Sequence, residues 1–147
     1  MKKLIAGLTL ALMVVALPLA MVGCKKAQKV EGTYKFETLT VEYAEDYEGE
    51  KMTQEQINSQ IEHYRTEEFM PKIELNADNK GKFWVDCDDY DDIKWTKKGN
   101  TITFIRLDDD GNEMEDTMEA TLKNGKLYMS FNMDEDGKAV MTYILSK

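Results

Sequence analysis

The residues of this sequence that could do chemistry are mainly carboxylates, because 28 Asp and Glu stand against 19 Lys and Arg. The resulting net charge of -9 argues against nucleic acid as a partner. The densest group of carboxylates lies between positions 86 and 92. Such a group repels itself unless it is solvated or neutralised by a cation, so it predicts a solvated turn, with a metal site as the alternative. Its members are Asp86, Asp88, Asp89, Asp91 and Asp92.

A second polar group has the spacing of a calcium loop. Asn132-x-Asp134-x-Asp136-Gly137 matches the first half of such a loop, in which alternate oxygen ligands and a glycine turn surround the cation. Position twelve would be Tyr143, however, where a calcium loop has a bidentate Glu. We therefore predict a hairpin turn at this point, no need for divalent metal in folding, and no cofactor.

The sequence has few of the residues that catalysis requires. It contains a single histidine, His63, and its serines lie outside any nucleophile motif. No nucleophile and base pair, zinc ligand set or phosphate-binding glycine loop is apparent. Cys87 shares strand parity with Phe83 and Val85, which predicts a small buried apolar residue. We predict that the chain is not an enzyme.

Methionine is the most suggestive feature of the composition, because several methionines fall on strand faces that we assign to the interior. A methionine-lined interior adapts to varied apolar ligands. The alternative, which we favour, is a filled core, because an eight-stranded barrel has room only for its own side chains or one small ligand. The candidate ligand-lining residues are Met114, Met118, Met129, Phe131, Met133 and Met141.

Turn signals at short, regular intervals mark the strands that must position these residues. Asn124-Gly125 is the strongest signal, because a two-residue type I′ hairpin needs positive φ at both central positions. Met118 before this turn and Met129 after it keep the parity of the apolar face, so we predict that both face the interior. The predicted strands are 33–43, 72–76, 82–87, 92–96, 101–107, 114–122, 126–133 and 139–145.

One segment, 53–69, has helical periodicity. Thr53 and Gln56 form a capping box at its start, and Pro71 follows its end. Eight antiparallel strands joined by tight turns close most economically on themselves, since closure removes exposed edges. We therefore predict an all-β fold with one helix after the first strand, arranged as an eight-stranded antiparallel up-and-down barrel. A strongly curved open sheet is the alternative. The apolar side of the helix is predicted to contain Ile57, Ile61, Tyr64 and Phe69.

The N-terminus is typical of an export signal, since Lys2 and Lys3 precede an apolar stretch over 4–22. Met21-Val22-Gly23-Cys24 resembles the lipobox of bacterial lipoprotein signal peptides. This resemblance implies that Cys24 is acylated, anchors the chain in the lipid bilayer and places it on the outer face of the cell membrane. An uncleaved signal anchor or an ordinary signal-peptidase site is the alternative. The predicted organisation is a signal peptide (1–23), a tether (24–31) and one β-barrel domain (32–147).

The remaining chain resembles the small lipocalin-like lipoproteins of Gram-positive bacteria. The matching segments include Gly32-Thr33-Tyr34, Ile93-Lys94-Trp95 and Leu122-Lys123-Asn124-Gly125-Lys126-Leu127. They cover nearly the whole mature chain and consist mostly of strand and turn chemistry, so they indicate an architecture better than an activity. The resemblance implies a barrel that holds a small apolar or amphipathic ligand in its mouth.

Two classes of function follow from these observations. The first is a monomeric, membrane-anchored binding protein for a small apolar or amphipathic ligand. The second is a non-enzymatic interaction module that contacts a protein or cell-wall component through exposed loops, with Tyr43 and Tyr47 as contributors to an aromatic patch. A continuous cavity would favour the first class, and a solid core with an exposed aromatic patch would favour the second.

Overall fold

The computed structural model describes residues 29–147. The predicted signal peptide, Cys24 and the tether as far as residue 28 lie outside the described residues. Eight strands and one helix follow each other in the predicted order. Their bounds are β1 Gly32–Tyr43, α1 Gln54–Tyr64, β2 Lys72–Leu75, β3 Lys80–Trp84, β4 Tyr90–Lys98, β5 Thr101–Leu107, β6 Glu113–Lys123, β7 Lys126–Asn132 and β8 Ala139–Ser146.

The strands form a closed antiparallel barrel in which each strand pairs with its sequence neighbours. The first strand is long enough to pair with β2 over 32–35 and with β8 over 35–43, so it joins the two sides of the sheet. A bulge at Glu37 interrupts the β1–β8 ladder between Phe36 and Thr38. The predicted barrel is therefore confirmed, and the open curved sheet is excluded.

Apolar side chains from the strands meet in one core. Its members from β4 and β5 are Ile93, Trp95, Ile102 and Phe104. Phe83 of β3 is half-buried and packs against this core. The alternation of buried and exposed residues along β5 to β7 follows the period of two that the sequence shows. The other members of the core are Val30, Tyr34, Ile73, Leu75, Ala120, Leu122, Leu127, Met129 and Leu145.

One end of the barrel, called the closed end here, carries the N-terminal described residues and the C-terminus. Tyr34 is fully buried there and its hydroxyl donates a hydrogen bond to the carbonyl of Val30 at 2.6 Å. Lys147 Nζ donates to the carbonyl of Lys29 at 2.9 Å. The tether therefore leaves the barrel at the closed end.

The hairpin between β6 and β7 has the predicted two-residue turn, also at the closed end. Asn124 and Gly125 have φ angles of 52° and 79°, and Lys123 pairs with Lys126 across them. Positive φ at both positions is what a type I′ turn requires. This confirms the register that places Met118 and Met129 on the same face of the sheet.

The helix begins with the predicted capping box, since Thr53 and Gln56 exchange side-chain and backbone hydrogen bonds. The prediction that it runs to Phe69 is wrong, because α1 ends at Tyr64. The hydroxyl and the backbone N–H of Thr66 both donate to the carbonyl of His63. This local side-chain bond favours a turn over another helical turn. The Arg65 guanidinium then fixes the helix end by donating to the carbonyl at the Glu37 bulge.

Candidate functional site

The candidate site lies at the other end of the barrel, called the open end here, where β1 and β7 end and α1 packs against β1. All large apolar side chains that are exposed among residues 29–147 belong to this end. They precede β2, follow β3, or lie at the start of β4 and β6 and at the end of β7. These residues are Phe69, Val85, Tyr90, Met114, Phe131 and Met133.

The candidate ligand-lining residues differ in how deeply they are buried in the barrel. Met129 is 1% exposed and belongs to the core, while Met118 packs against it, so the predicted interior position of both is confirmed. Met141 is half-buried.

The three others were assigned to the interior, and the structure corrects this. Met114, Phe131 and Met133 are 39%, 37% and 42% exposed. They have the inward parity of their strands, but they lie closer to the open end than the last residues of the core.

Aromatic side chains close the barrel between the core and the open end. Tyr64 at the end of α1 meets Phe36 and Tyr143 with ring centroids 5.4 and 5.5 Å apart, and Phe131 lies 5.3 Å from Tyr143. The Tyr143 hydroxyl donates to the Tyr64 hydroxyl at 3.2 Å. Burial, followed by this hydrogen bond, raises the pKa of Tyr143 above its ordinary range. The helix therefore covers the interior of the barrel on this side with the Tyr64 ring.

An ion pair lies on the inward side of β4 and β5 near the open end. Arg106 pairs in register with the buried Ile93, and its Nη2 donates to Asp91 Oδ1 at 2.9 Å. The hydrogen bond to Asp91 is the main cause of a raised pKa for Arg106. Arg106 Nε has no hydrogen-bond partner within residues 29–147. Sequence reasoning missed this pair, although Arg106 continues the inward parity of Ile102 and Phe104.

A break in the wall of the barrel lies beside the exposed methionines. The ladder between β6 and β7 contains only Thr121↔Tyr128, Leu122↔Leu127 and Lys123↔Lys126 within the described residues. Both strands continue toward the open end, where β6 pairs with β5 and β7 pairs with β8. We call residues 113–120 of β6 and 129–132 of β7 the seam. One signal in the sequence could have shown it, because Asp116 occupies an inward position of β6, and inward charges protect free strand edges.

The predicted carboxylate cluster does not converge on one point. Asp86 Oδ1 accepts the backbone N–H groups of Asp88 and Asp89 in the loop after β3, whereas Asp91 binds Arg106. Asp92 lies on β4 opposite Lys82, beyond the turn. Within residues 29–147 there is no group of three or more His, Cys, Asp or Glu arranged to hold a metal ion.

The calcium-like segment forms a hairpin turn between β7 and β8. Asp134 Oδ1 accepts the backbone N–H of Ala139 at 3.0 Å, and Met133 N–H bonds to the carbonyl of Ala139 at 2.8 Å. Gly137 has φ 66°, which gives the turn its left-handed residue. Asp134 is thus a turn residue whose oxygen already binds the backbone.

Cys87 is exposed, so the prediction of a buried thiol is wrong. The predicted strand over 82–87 ends at Trp84, because the Asp86 side chain turns the chain away from the sheet. Strand parity therefore does not extend to Cys87. Desolvation and the charge of Asp88 raise the pKa of its thiol, which disfavours the nucleophilic thiolate.

His63 and the two loop tyrosines have structural contacts. His63 is exposed on α1 and stacks on Phe69 with centroids 4.3 Å apart. Tyr43 and Tyr47 are half-buried and pack against each other at 5.0 Å, and the Tyr43 hydroxyl accepts the backbone N–H of Met52 at 2.7 Å. The two tyrosines hold the connection to α1, and they do not form the exposed aromatic patch that the sequence suggested.

The outer wall near the open end carries a row of stacked cations and rings. Lys72 lies 3.9 Å from the centre of the Trp84 ring, and Lys82 lies 3.9 Å from that of Tyr90. A groove of about 850 Å³ lies beside β3, β4 and the end of β5, with Lys80 and Asp108 among its lining residues. These opposite charges make the groove polar, whereas the exposed large apolar side chains lie at the open end.

Comparison of the chain with protein-family models, with curated proteins and with solved structures found no match. Within residues 29–147 there is also no helix with the length and apolar character needed to cross a bilayer.

Proposed function

We propose that this chain is a lipid-anchored extracytoplasmic protein, without enzymatic activity, that binds an amphipathic partner at the open end of its barrel. The observation that supports this most directly is the position of the exposed apolar side chains described above, all at the open end. Exposed apolar groups collected on one end of a domain are typical of an interaction site. Acidic residues such as Glu115 and Asp116 lie beside them, so the site presents apolar and charged groups together.

The filled core supports binding at the rim rather than deep inside. Tyr34, Trp95 and Phe104 occupy the interior toward the closed end, and Tyr64 covers it from the helix side. A barrel of eight strands has little space once such side chains are placed. A partner therefore contacts Phe131 and Met133 without entering the core.

The position of the tether determines how the proposed anchor would orient the barrel. If Cys24 is acylated, the lipid lies near the closed end, because residues 29–31 leave the barrel there. The seven residues of β7 span roughly 23 Å, which separates the open end from the membrane surface. The open end then faces partners outside the bilayer.

The anchor can be tested by Cys24→Ala in the host. We expect this variant to lose acyl chains and to be released or misprocessed, which fractionation and intact mass measurement detect. Membrane association with the signal still attached would instead indicate an uncleaved anchor and would contradict this part of the proposal.

Binding at the open end can be tested by native mass spectrometry of the full chain purified from host membranes. We expect a retained molecule or partner that is lost in Phe131→Asp/Met133→Asp. The matched control is Thr33→Asp/Thr121→Asp, which adds the same charge at exposed positions near the closed end. Equal retention by both double variants would contradict an open-end site.

A small apolar ligand is the second candidate, and one observation favours it. Met118 and Met141 are half-buried between the core and the exposed rim, and flexible thioether side chains can rearrange around a ligand. The same mass spectra separate the two candidates, because a small ligand adds a discrete mass of a few hundred daltons, whereas a macromolecular partner adds far more.

A further inference from the structure

The seam exposes backbone groups of β6 on the side that faces β7. In a two-residue hairpin the residues flanking the turn form a hydrogen-bonded pair, here Lys123 and Lys126, so odd-numbered residues of β6 point their N–H and C=O groups toward β7. The opposite orientation of Leu122 agrees with this, because its N–H bonds to the carbonyl of Asn100 on the β5 side. Beyond Thr121 the same parity continues, so the backbone groups of Glu119 point into the seam.

The facing edge of β7 has the same character. Its even-numbered residues point toward β6, while the N–H of Met133 bonds to Ala139 on the β8 side. The backbone groups of Ser130 and Asn132 therefore also point into the seam. Two free strand edges next to each other provide a template for an added strand. The β6 edge is the longer of the two, since it runs over 113–120, with an irregularity at 114–116 where its register with β5 shifts.

The side chains along the β6 edge determine which charge is favourable in an added strand. Glu113 pairs with Lys94 at 2.8 Å, whereas Glu115 and Glu119 are exposed to solvent. These carboxylates oppose pairing with a second copy, because the same acidic edge would face itself. They favour an occupant with Lys or Arg on its outward side.

The inward side of an added strand would meet apolar surface. Met118 of β6 and Phe131 of β7 lie at inward positions on the two sides of the seam. Side chains of a strand alternate between its two faces, so an occupant with alternating apolar and basic residues matches both faces of the seam.

We propose that the free edge of β6 accepts an extended basic segment of a partner polypeptide as an added antiparallel or parallel strand. This inference rests on the proposed function, because it identifies the chemical class of the partner at the open end. Backbone hydrogen bonds to β6 supply the geometry, and the acidic residues select the charge.

The test uses the full chain in lipid nanodiscs and a fluorescent peptide of alternating lysine and valine, about eight residues long to match the edge. Two further peptides carry N-methyl groups on one or the other alternate set of backbone amides, which removes donors and leaves charge unchanged. We expect saturable binding of the parent peptide and at least about tenfold weaker binding of one methylated peptide. Equal binding of all three peptides would overturn strand addition.

Protein variants test the charge and separate this inference from the proposed function. Glu115→Lys/Glu119→Lys should weaken binding at least about tenfold, whereas Glu48→Lys/Glu55→Lys, with the same change in net charge at exposed positions, should not. Equal weakening by the two double variants would mean non-specific attraction and would overturn the inference. If methylation has no effect but Met133→Asp weakens binding, strand addition fails and the open-end site stands. If Met133→Asp has no effect either, the peptide binds elsewhere and strand addition fails, while the native mass spectra decide the open-end site.

Discussion

The substitution Met129→Asp tests whether the barrel interior is a packed core at the level where the candidate site begins. Met129 is 1% exposed and lies in the cluster with Tyr34 and Phe104. An aspartate at this position loses the apolar contacts of the thioether and places a carboxyl among apolar side chains. We expect a large loss of stability near neutral pH.

Two contributions set the size of this loss. Removing a fully buried methionine side chain costs about 1.5–3 kcal/mol in transfer free energy. Keeping the new carboxyl neutral near pH 7 costs about 4 kcal/mol, since its ordinary pKa lies roughly three units lower and each unit is worth about 1.4 kcal/mol. The expected total of about 6 kcal/mol is comparable with the whole stability of a small domain, about 5–15 kcal/mol.

Urea unfolding followed by circular dichroism measures this loss, with Met133→Asp as the matched control. Met133 has the same inward parity but is 42% exposed, so its substitution should cost under about 1 kcal/mol. Burial raises the folded-state pKa of the carboxyl introduced by Met129→Asp above its unfolded value. The penalty in this variant is therefore full above the folded pKa and shrinks as pH falls toward the unfolded pKa.

Two results would refute the packed-core reasoning. One is a folded Met129→Asp variant whose stability lies within about 1 kcal/mol of the parent near neutral pH. The other is a penalty that does not shrink on acidification, because it would mean that the carboxyl reaches solvent. Either result would point to a wet cavity and would favour the small-ligand candidate.

Three further predictions concern turn geometry, pH and metal. Gly125→Ala should destabilise the domain by about 1–2 kcal/mol in urea unfolding, because φ is 79° at this position, and an unchanged midpoint would argue against the type I′ turn. Burial, followed by the charge of Glu31, raises the pKa of Tyr34 to about 12, so its contribution to stability should be complete below pH of about 10 and decline as pH rises toward about 12. Tyr34→Phe should make the decline smaller and leave the part that is due to Tyr143, as measured by unfolding together with tyrosinate absorbance. EDTA should shift the melting temperature by less than about 5 °C, and a larger drop would restore a metal site in the acidic segments.

The strand order, the helix position and the hairpin register could be predicted because they depend on local signals. Asn124-Gly125 defines a turn and thereby the parity of both flanking strands. Parity, however, identifies the face of a residue and not its depth along the barrel axis. Met129 and Met133 share a face, yet one is buried and the other is exposed. The depth at which the core ends depends on Tyr64 and the other rings, which the alternation of a single strand does not reveal.

The remaining errors arose where a side chain bonds to nearby backbone. Thr66 ends the helix early, and Asp86 ends β3 early and exposes Cys87. The seam was not predicted either, because each of the strands β6 and β7 keeps a normal alternation and loses only its partner on one side. Strand pairing is a property of two segments, so within one segment only the inward position of Asp116 could have indicated where the ladder stops.

Oxidation of exposed methionines on intact host cells tests the central proposal, binding at the open end, most directly. Met114 and Met133 are accessible reporters at that end, and Thr33→Met adds a reporter at an exposed position of the closed end. Mass spectrometry after peroxide treatment compares each rate on cells with the rate in the purified full chain in lipid nanodiscs, where the bilayer shields the closed end equally. We predict that Met114 and Met133 oxidise at least about threefold more slowly on cells, while the closed-end reporter changes little. Equal rates for Met114 and Met133 in the two preparations would contradict occupancy of the open end.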